Sequence, residues 1–269
     1  QTELVNTVTG LQKSLSGKIT LLGEDVTHFS PRQITELGIA HVPEDRQSDG
    51  LVLPFPITEN LVLCSYYQAP FAKGVVLQYP VILKNAEKLI EDFDIRTPSA
   101  LTPVGSLSGG NQQKVIIARE LSRPIKFLVA SQPTRGLDVG SIEYIHKRII
   151  QKRDEGCGVL LVSPELDEIM ELSDRIAVMY KGRLVELAEA EALFRRPLHP
   201  YTRVLMDAAP VPDPEIERDK KVAVYNPAAH DYTGEGPAWL EAEPGHYVRA
   251  NRAELADWLK ITHGRGAGV

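Results

Sequence analysis

The apolar residues of this chain fall into short, dense runs rather than long stripes. Residues 127–130 (Phe-Leu-Val-Ala) and 159–162 (Val-Leu-Leu-Val) are unbroken apolar runs, the pattern of strands buried on both faces. Residues 39–42 read as a further strand. Between the first two runs lies a polar loop, 132–138, and then Ile142, Ile145 and Ile149 at helical spacing. This order of strand, loop, helix and strand predicts an α/β fold with a parallel sheet, and it places ligand-facing residues at the strand ends.

The remaining pattern is weaker. Residues 1–10 read as a helix and 17–23 as a strand closed by a turn. Ser30-Pro31 opens a short helix, with serine as cap and proline in the first turn, and Gly38 ends it. Residues 86–93 are helical, while the rest of 47–106 shows no strand pattern. Residues 175–180 and 183–186, joined by Lys181-Gly182, predict a hairpin. The proline-rich stretch 210–214, followed by charged residues 215–221, predicts a linker.

The candidate chemistry begins at Ser108-Gly109-Gly110, which precedes a helix expected over 111–119. Small side chains let backbone N–H groups approach a ligand, and a helix N-terminus attracts phosphate. A plain surface turn capping a helix would have the same local sequence. The order of the elements after it favours the phosphate reading.

Residues 107–114, Leu-Ser-Gly-Gly-Asn-Gln-Gln-Lys, match the signature motif of ABC transporter ATPases. Residues 42–46, with 49–51 and 57–60, resemble the Q-loop region of that family, Glu44 standing where other members carry glutamine. Residues 133–140 resemble its D-loop run. Residues 1–190 thus resemble the second ATPase domain of simple-sugar and nucleoside importers. The resemblance implies a P-loop NTPase-like parallel-sheet core over 1–46 and 120–190, with its first strands and phosphate loop missing. It also implies a helical signature subdomain over 47–119, and ATP with Mg2+ as cofactors. Residues 191–269 instead resemble the C-terminal region of oligopeptide and dipeptide importer ATPases, through 194–205, 208–214 and 244–248, and are expected to form a small irregular extension. The chain reads as composite, either a natural recombinant or an artificial join.

The departures from the family carry as much information as the matches. The family's magnesium-side aspartate and water-polarising glutamate are replaced here by Ser131 and Gln132. An amide has nearly the shape of a carboxylate but takes up no proton. Pro164 stands at the switch histidine. Gln1 and Thr2 align with the lysine and the magnesium-binding hydroxyl of the phosphate loop. Phosphoryl transfer depends on such charges, so the chain's own site is expected to be degenerate, with no catalytic residue intact. In this family two ATPase halves pair head to tail, so the signature of one half serves the nucleotide of the other. The nucleotide-facing residues implied are Gln1, Thr2, Glu44, Ser108, Gly109, Gly110, Asn111, Gln112 and Asp138.

Composition narrows the setting. A net charge of −6 over 269 residues argues against nucleic acid as the main partner. No apolar run is long enough to span a membrane. Gln1 in place of methionine suggests a fragment or a processed product. Cys64 and Cys157 have no metal spacing and suit a reducing compartment. The four tail cysteines that hold an iron–sulfur cluster in many peptide-importer relatives are not found after Cys157, so no cluster is expected. His199, His230 and His246 are too scattered in sequence for a metal site and read as solvated or structural, so no metal residue is assigned. Tyr66, Tyr67, Phe71 and residues 75–77 either receive a permease helix or form the core of a small helical layer.

The leading expectation is an ATP-binding subunit of an ABC importer for simple sugars, nucleosides or oligopeptides, peripheral at the cytoplasmic face of the membrane. Its partners would be a membrane permease and a competent ATPase half that receives its signature. The alternative is a non-catalytic ABC-like interaction module that binds no nucleotide. An autonomous ATPase is disfavoured by Ser131, Gln132 and Pro164.

Overall fold

A computed structural model describes residues 1–208, 218, 224–230 and 232–263. The chain divides into two compact units, Gln1–Pro164 and Glu165–Val269.

The first unit is organised by a parallel sheet of β3 (Ile39–Val42), β6 (Phe127–Ser131) and β7 (Gly158–Val162), with β6 in the centre. All three predicted strands are present; the central β6 is buried on both faces and the edge strand β7 is half-buried. Ala40, Val42, Leu128, Ala130, Val159 and Leu161 point to one side, into a cluster with Ile116, Ile117, Ile145 and Ile149. Ile39, Val129, Leu160 and Val162 point to the other, against Val5, Val26 and Ile34. Period-two alternation between two apolar layers explains why the runs are unbroken.

Around this sheet stand α1 (Thr2–Val8), α2 (Pro31–Glu36), α3 (Ile57–Leu61), α4 (Tyr79–Asp92), α5 (Gly109–Leu121) and α6 (Val139–Asp154). Ser30 caps α2 in a full capping box with Gln33. The strand expected over 17–23 is a two-residue hairpin instead, β1 (Thr20–Leu21) against β2 (Glu24–Asp25), turning at Leu22 and Gly23. A second small hairpin, β4 (Ala72–Lys73) and β5 (Val76–Leu77), lies in a region with no strand pattern. Val75 and Val76 on it are 99% and 61% exposed, so they are not core residues. Ile57, Leu61 and Leu89 share one cluster with Ile116 and with Leu128 of the sheet, so residues 47–119 pack against the parallel strands.

The second unit holds an antiparallel sheet built from β8 (Arg175–Tyr180), β9 (Arg183–Glu189), β10 (Ala238–Glu243) and β11 (His246–Ala250), in the order β10-β11-β9-β8. The predicted β8–β9 turn has positive φ at both Lys181 and Gly182, as a tight hairpin requires. Pairing of Glu186 and Leu187 with Val248 and Tyr247 ties this hairpin to the C-terminal strands. Residues 165–190, assigned to the core from sequence, therefore belong with the tail. Helices α7 (Leu166–Leu172), α8 (Ala190–Arg195), α9 (Pro200–Asp207) and α10 (Arg252–His263) complete it, and the tail is more regular than its sequence suggests. The expected linker 210–214 and the charged run 215–221, Arg218 apart, lie outside the described residues.

Buried polar groups hold this unit together. Glu186 is fully buried and accepts from the N–H groups of Leu198 (2.7 Å) and His199 (3.0 Å), with His246 Nε2 also at 2.7 Å. His230 sits between the Tyr225 hydroxyl and Glu254, at 2.7 Å from each, and its ring stacks on His199 at 5.5 Å. Burial, reinforced by the neighbouring His230, pushes His199 down to about 3, so it stays neutral. These histidines are structural, and among the described residues no group of side chains is arranged to hold a metal ion.

Candidate functional site

Two sets of residues meet the sequence expectations, and their chemistry differs. The first lies at the C-terminal ends of the parallel strands, where open α/β sheets bind ligands. Glu44 follows β3, Ser131 ends β6 with Gln132 next after it, and Pro164 follows β7. Ser131 is buried, and Gln132 has φ 46° with its N–H donated to the Val162 carbonyl at 2.7 Å. Pro164 offers no polar side chain. Glu44 is paired with Arg135 at 3.0 Å. Magnesium needs hard oxygen ligands in near-octahedral array. The single carboxylate among these strand-end positions is already committed to a guanidinium, so this donor set does not fit the ion. Gln1 and Thr2 stand exposed at the start of α1, and Gln1 makes no side-chain capping bond.

The second set lies where two helices begin. Helices α5 and α6 start at one cavity of about 270 Å³, lined by Ser108, Gly110, Asn111, Asp138, Gly140 and Ser141 together with Asp94, Arg96, Lys114 and Tyr144. Ser108 is the N-cap of α5 and Asp138 the N-cap of α6. Two helix N-termini therefore direct their positive ends into the same space. Ser108 is exposed and Gly110 half-buried, so the turn is open to solvent. A β-carbon on Gly110 would lie 2.5 Å from Ser141 Oγ and 3.4 Å from Asp138 Oδ2. A side chain at 110 would therefore push the Ser141 hydroxyl aside. The Ser141 hydroxyl, then its backbone N–H, hold the Asp138 carboxyl below its ordinary value.

Side chains fix the turn. Asn111 donates from Nδ2 to Ser108 Oγ at 2.9 Å and accepts from the Arg96 N–H at 2.8 Å. Lys114 donates to both the carbonyl and the carboxylate of Asp94, at 2.8 and 2.7 Å. Gln112, expected to face nucleotide, is only 2% exposed. Its amide donates to the Val104 carbonyl at 3.3 Å and accepts from Gln47 at 3.2 Å. That assignment is corrected: Gln112 supports the turn from inside. The reason is that α5 is buried throughout 112–121, so motif position alone does not tell which way a side chain faces. Arg96, Ser141 and Tyr144 were not singled out from sequence, although Arg96 and Tyr144 lie 12 residues before and 36 after Ser108.

The fold agrees with comparisons with known proteins. Residues 1–135 match the family model for ABC transporter, and residues 185–236 match that for the oligopeptide/dipeptide transporter C-terminal region. The chain is 54% identical over 185 residues to the guanosine import ATP-binding protein NupO of Bacillus subtilis (strain 168), covering 69% of this chain and 36% of that protein. It is 44% identical over 155 residues to the oligopeptide transport ATP-binding protein AmiF of Streptococcus pneumoniae, covering 57% of this chain and 50% of that protein. The chain therefore spans about a third to a half of the length of these relatives. A nucleotide-free ATP-binding cassette from an ABC transporter superposes with a TM-score of 0.63 at 22% identity, over 76% of this chain and 82% of that one, a likeness of fold. The chain belongs to the ABC transporter ATPase family.

Proposed function

We propose that this chain is an ATP-binding subunit of an ABC importer whose own nucleotide site is degenerate and whose signature turn completes the site of a partner ATPase half. The observation that carries this reading is a contrast within one unit. Ser108 and Gly110 are accessible at a cavity faced by two helix N-termini, whereas the strand ends present Ser131, Gln132, Pro164 and a Glu44 already tied to Arg135. In the assembled pair, backbone N–H groups at 109–111 and the Ser108 hydroxyl hold the γ-phosphate bound on the partner's phosphate loop. Charge stabilisation of that kind, fixed before reaction, is where phosphoryl transfer gains most. ATP and Mg2+ then lie mainly in the composite site, with Asp138 and Asn111 lending position rather than charge transfer.

The partners of this reading are a competent ATPase half and a membrane permease, at the cytoplasmic face of the cell membrane, and no nucleic acid. The imported solute is a nucleoside, a simple sugar or an oligopeptide, the classes named for its relatives. A second reading, an interaction module that never binds nucleotide, is favoured by the strand ends, where Ser131, Gln132 and Pro164 bring no charge to a cation. The purified chain alone is expected to hydrolyse ATP no faster than a buffer control, and to sustain turnover only when mixed with a competent half. Steady hydrolysis by the chain alone would overturn the proposal, and absence of turnover in the mixture would favour the second reading.

A further inference from the structure

We infer that Arg46 is a positioning residue for the signature turn, setting its distance from the 132–138 loop. The inference rests on the reading that Ser108 and Gly110 serve a partner's nucleotide, and it names what fixes where they stand.

Arg46 opens a short π-helical turn, Arg46–Gly50, capped by Asp45, whose carboxylate accepts from the N–H groups of Gln47 (2.9 Å) and Ser48 (3.1 Å). From that fixed base its guanidinium reaches two loops at once. Nη1 donates to the Arg135 carbonyl at 2.8 Å. Nη2 lies where a β-carbon on Gly109 would be 3.1 Å away and one on Gly136 3.8 Å away. Nε is buried with no hydrogen-bond partner among the described residues. A buried donor left unpaired is costly and calls for an explanation. Here the guanidinium plane that strands Nε is the one that spans both loops. Neighbouring side chains reinforce the arrangement: Gln47 Nε2 donates to Gln112 Oε1 at 3.2 Å, and Arg135 donates to Glu44 at 3.0 Å. The Glu44–Arg135 pair is solvent-exposed and contributes little by itself. The nearness of Nη2 to Gly109, which would leave a β-carbon there only 3.1 Å of room, carries the register.

The test uses Arg46→Ala, Gly109→Ala and the double variant of the full chain, followed by hydrogen–deuterium exchange of 106–112 and 132–138. Each single variant is expected to speed exchange in both segments by about fivefold or more. The double variant should be no worse than Arg46→Ala, because the added methyl has lost the neighbour it would strike. In the pair with a competent half, Arg46→Ala is expected to lower kcat about tenfold, as a displaced catalytic element does, with KM for ATP within about twofold. Arg46→Lys should recover part of that loss, since an ammonium still reaches the Arg135 carbonyl. Exchange changes confined to 44–50, additive effects in the double variant, or a raised KM at unchanged kcat would each overturn the inference. If the exchange pattern holds while Ser108→Arg leaves the pair's turnover unchanged, the nucleotide reading fails and the positioning of the loops by Arg46 stands.

Discussion

Ser108→Arg in this chain, assembled with a competent ATPase half, is expected to lower ATP hydrolysis by about 10²–10³-fold, the loss seen when one preorganised anion-binding group is removed. The substitution acts at the point of closest approach. Ser108 is exposed at the cap of α5, and its hydroxyl holds Asn111 Nδ2 at 2.9 Å. An arginine there fills the space a phosphate would enter and removes the capping oxygen. Loss of an N-cap costs only about 1 kcal/mol of stability, so the unfolding midpoint should move little while turnover collapses. Wild-type turnover in the variant pair would mean that this turn touches no nucleotide.

The largest expected effect on stability is at Glu120. This side chain is almost fully buried at the end of α5 and takes Arg119 Nε at 2.9 Å and Arg123 Nη2 at 3.0 Å. The two arginines reach onward to the carbonyls of Gly50 (2.7 Å), Thr35 (2.9 Å) and Ile39 (2.7 Å). Glu120 therefore links the strand, the π-turn and the signature helix. Glu120→Ala leaves two guanidinium groups without their counter-charge in a dry interior, and is expected to cost about 3–5 kcal/mol. That is a large share of the roughly 5–15 kcal/mol a folded domain has in total. Urea unfolding monitored by circular dichroism measures it.

The same residue sets a pH dependence. Burial by itself raises the Glu120 carboxyl, but Arg119 and Arg123 outweigh it and hold the group below its ordinary value of 4.5. A carboxyl lowered on folding contributes stability above its unfolded value and loses it as pH falls through the folded one. The difference between wild type and Glu120→Ala should accordingly be full at neutral pH and shrink below about pH 4.5. Cys64 donates its thiol to Glu120 at 3.4 Å, and burial together with that carboxylate pushes the thiol up to about 11. It should be inert to thiol reagents at pH 8 in the wild type.

Much of the first unit was legible in its sequence, for a physical reason. A central strand packed between two apolar layers must be apolar throughout, so residues 127–130 announced themselves, and the apolar run 159–162 beside it did the same. The hairpin at Lys181-Gly182 was legible because few residue pairs accept positive φ at both turn positions. What escaped was non-local. Helix α5 is buried all round while carrying Gln112, Gln113, Lys114, Arg119 and Glu120, so its polar residues look like a solvated face until their partners at Gln47, Asp94 and Gly50 are known. The pairing of β9 with β11 joins positions 186 and 248, a separation over which no periodicity speaks. His199 and His230, apart in sequence, stack in space. Ser108, Gly110, Asn111 and Asp138, singled out by their motifs, line one cavity; Arg46 lies inside the 42–46 motif, but its reach to two loops, like the approach of Ser141 to Gly110, appears only in the structure.

A titration with a fluorescent ATP analogue, of the chain alone and then mixed with a competent ATPase half whose own catalytic glutamate is disabled, tests the division of labour most directly. Weak or undetectable binding by the chain alone and tight binding in the mixture, lost again with Ser108→Arg, is the predicted result. Equally tight binding with and without the Ser108 hydroxyl would contradict it.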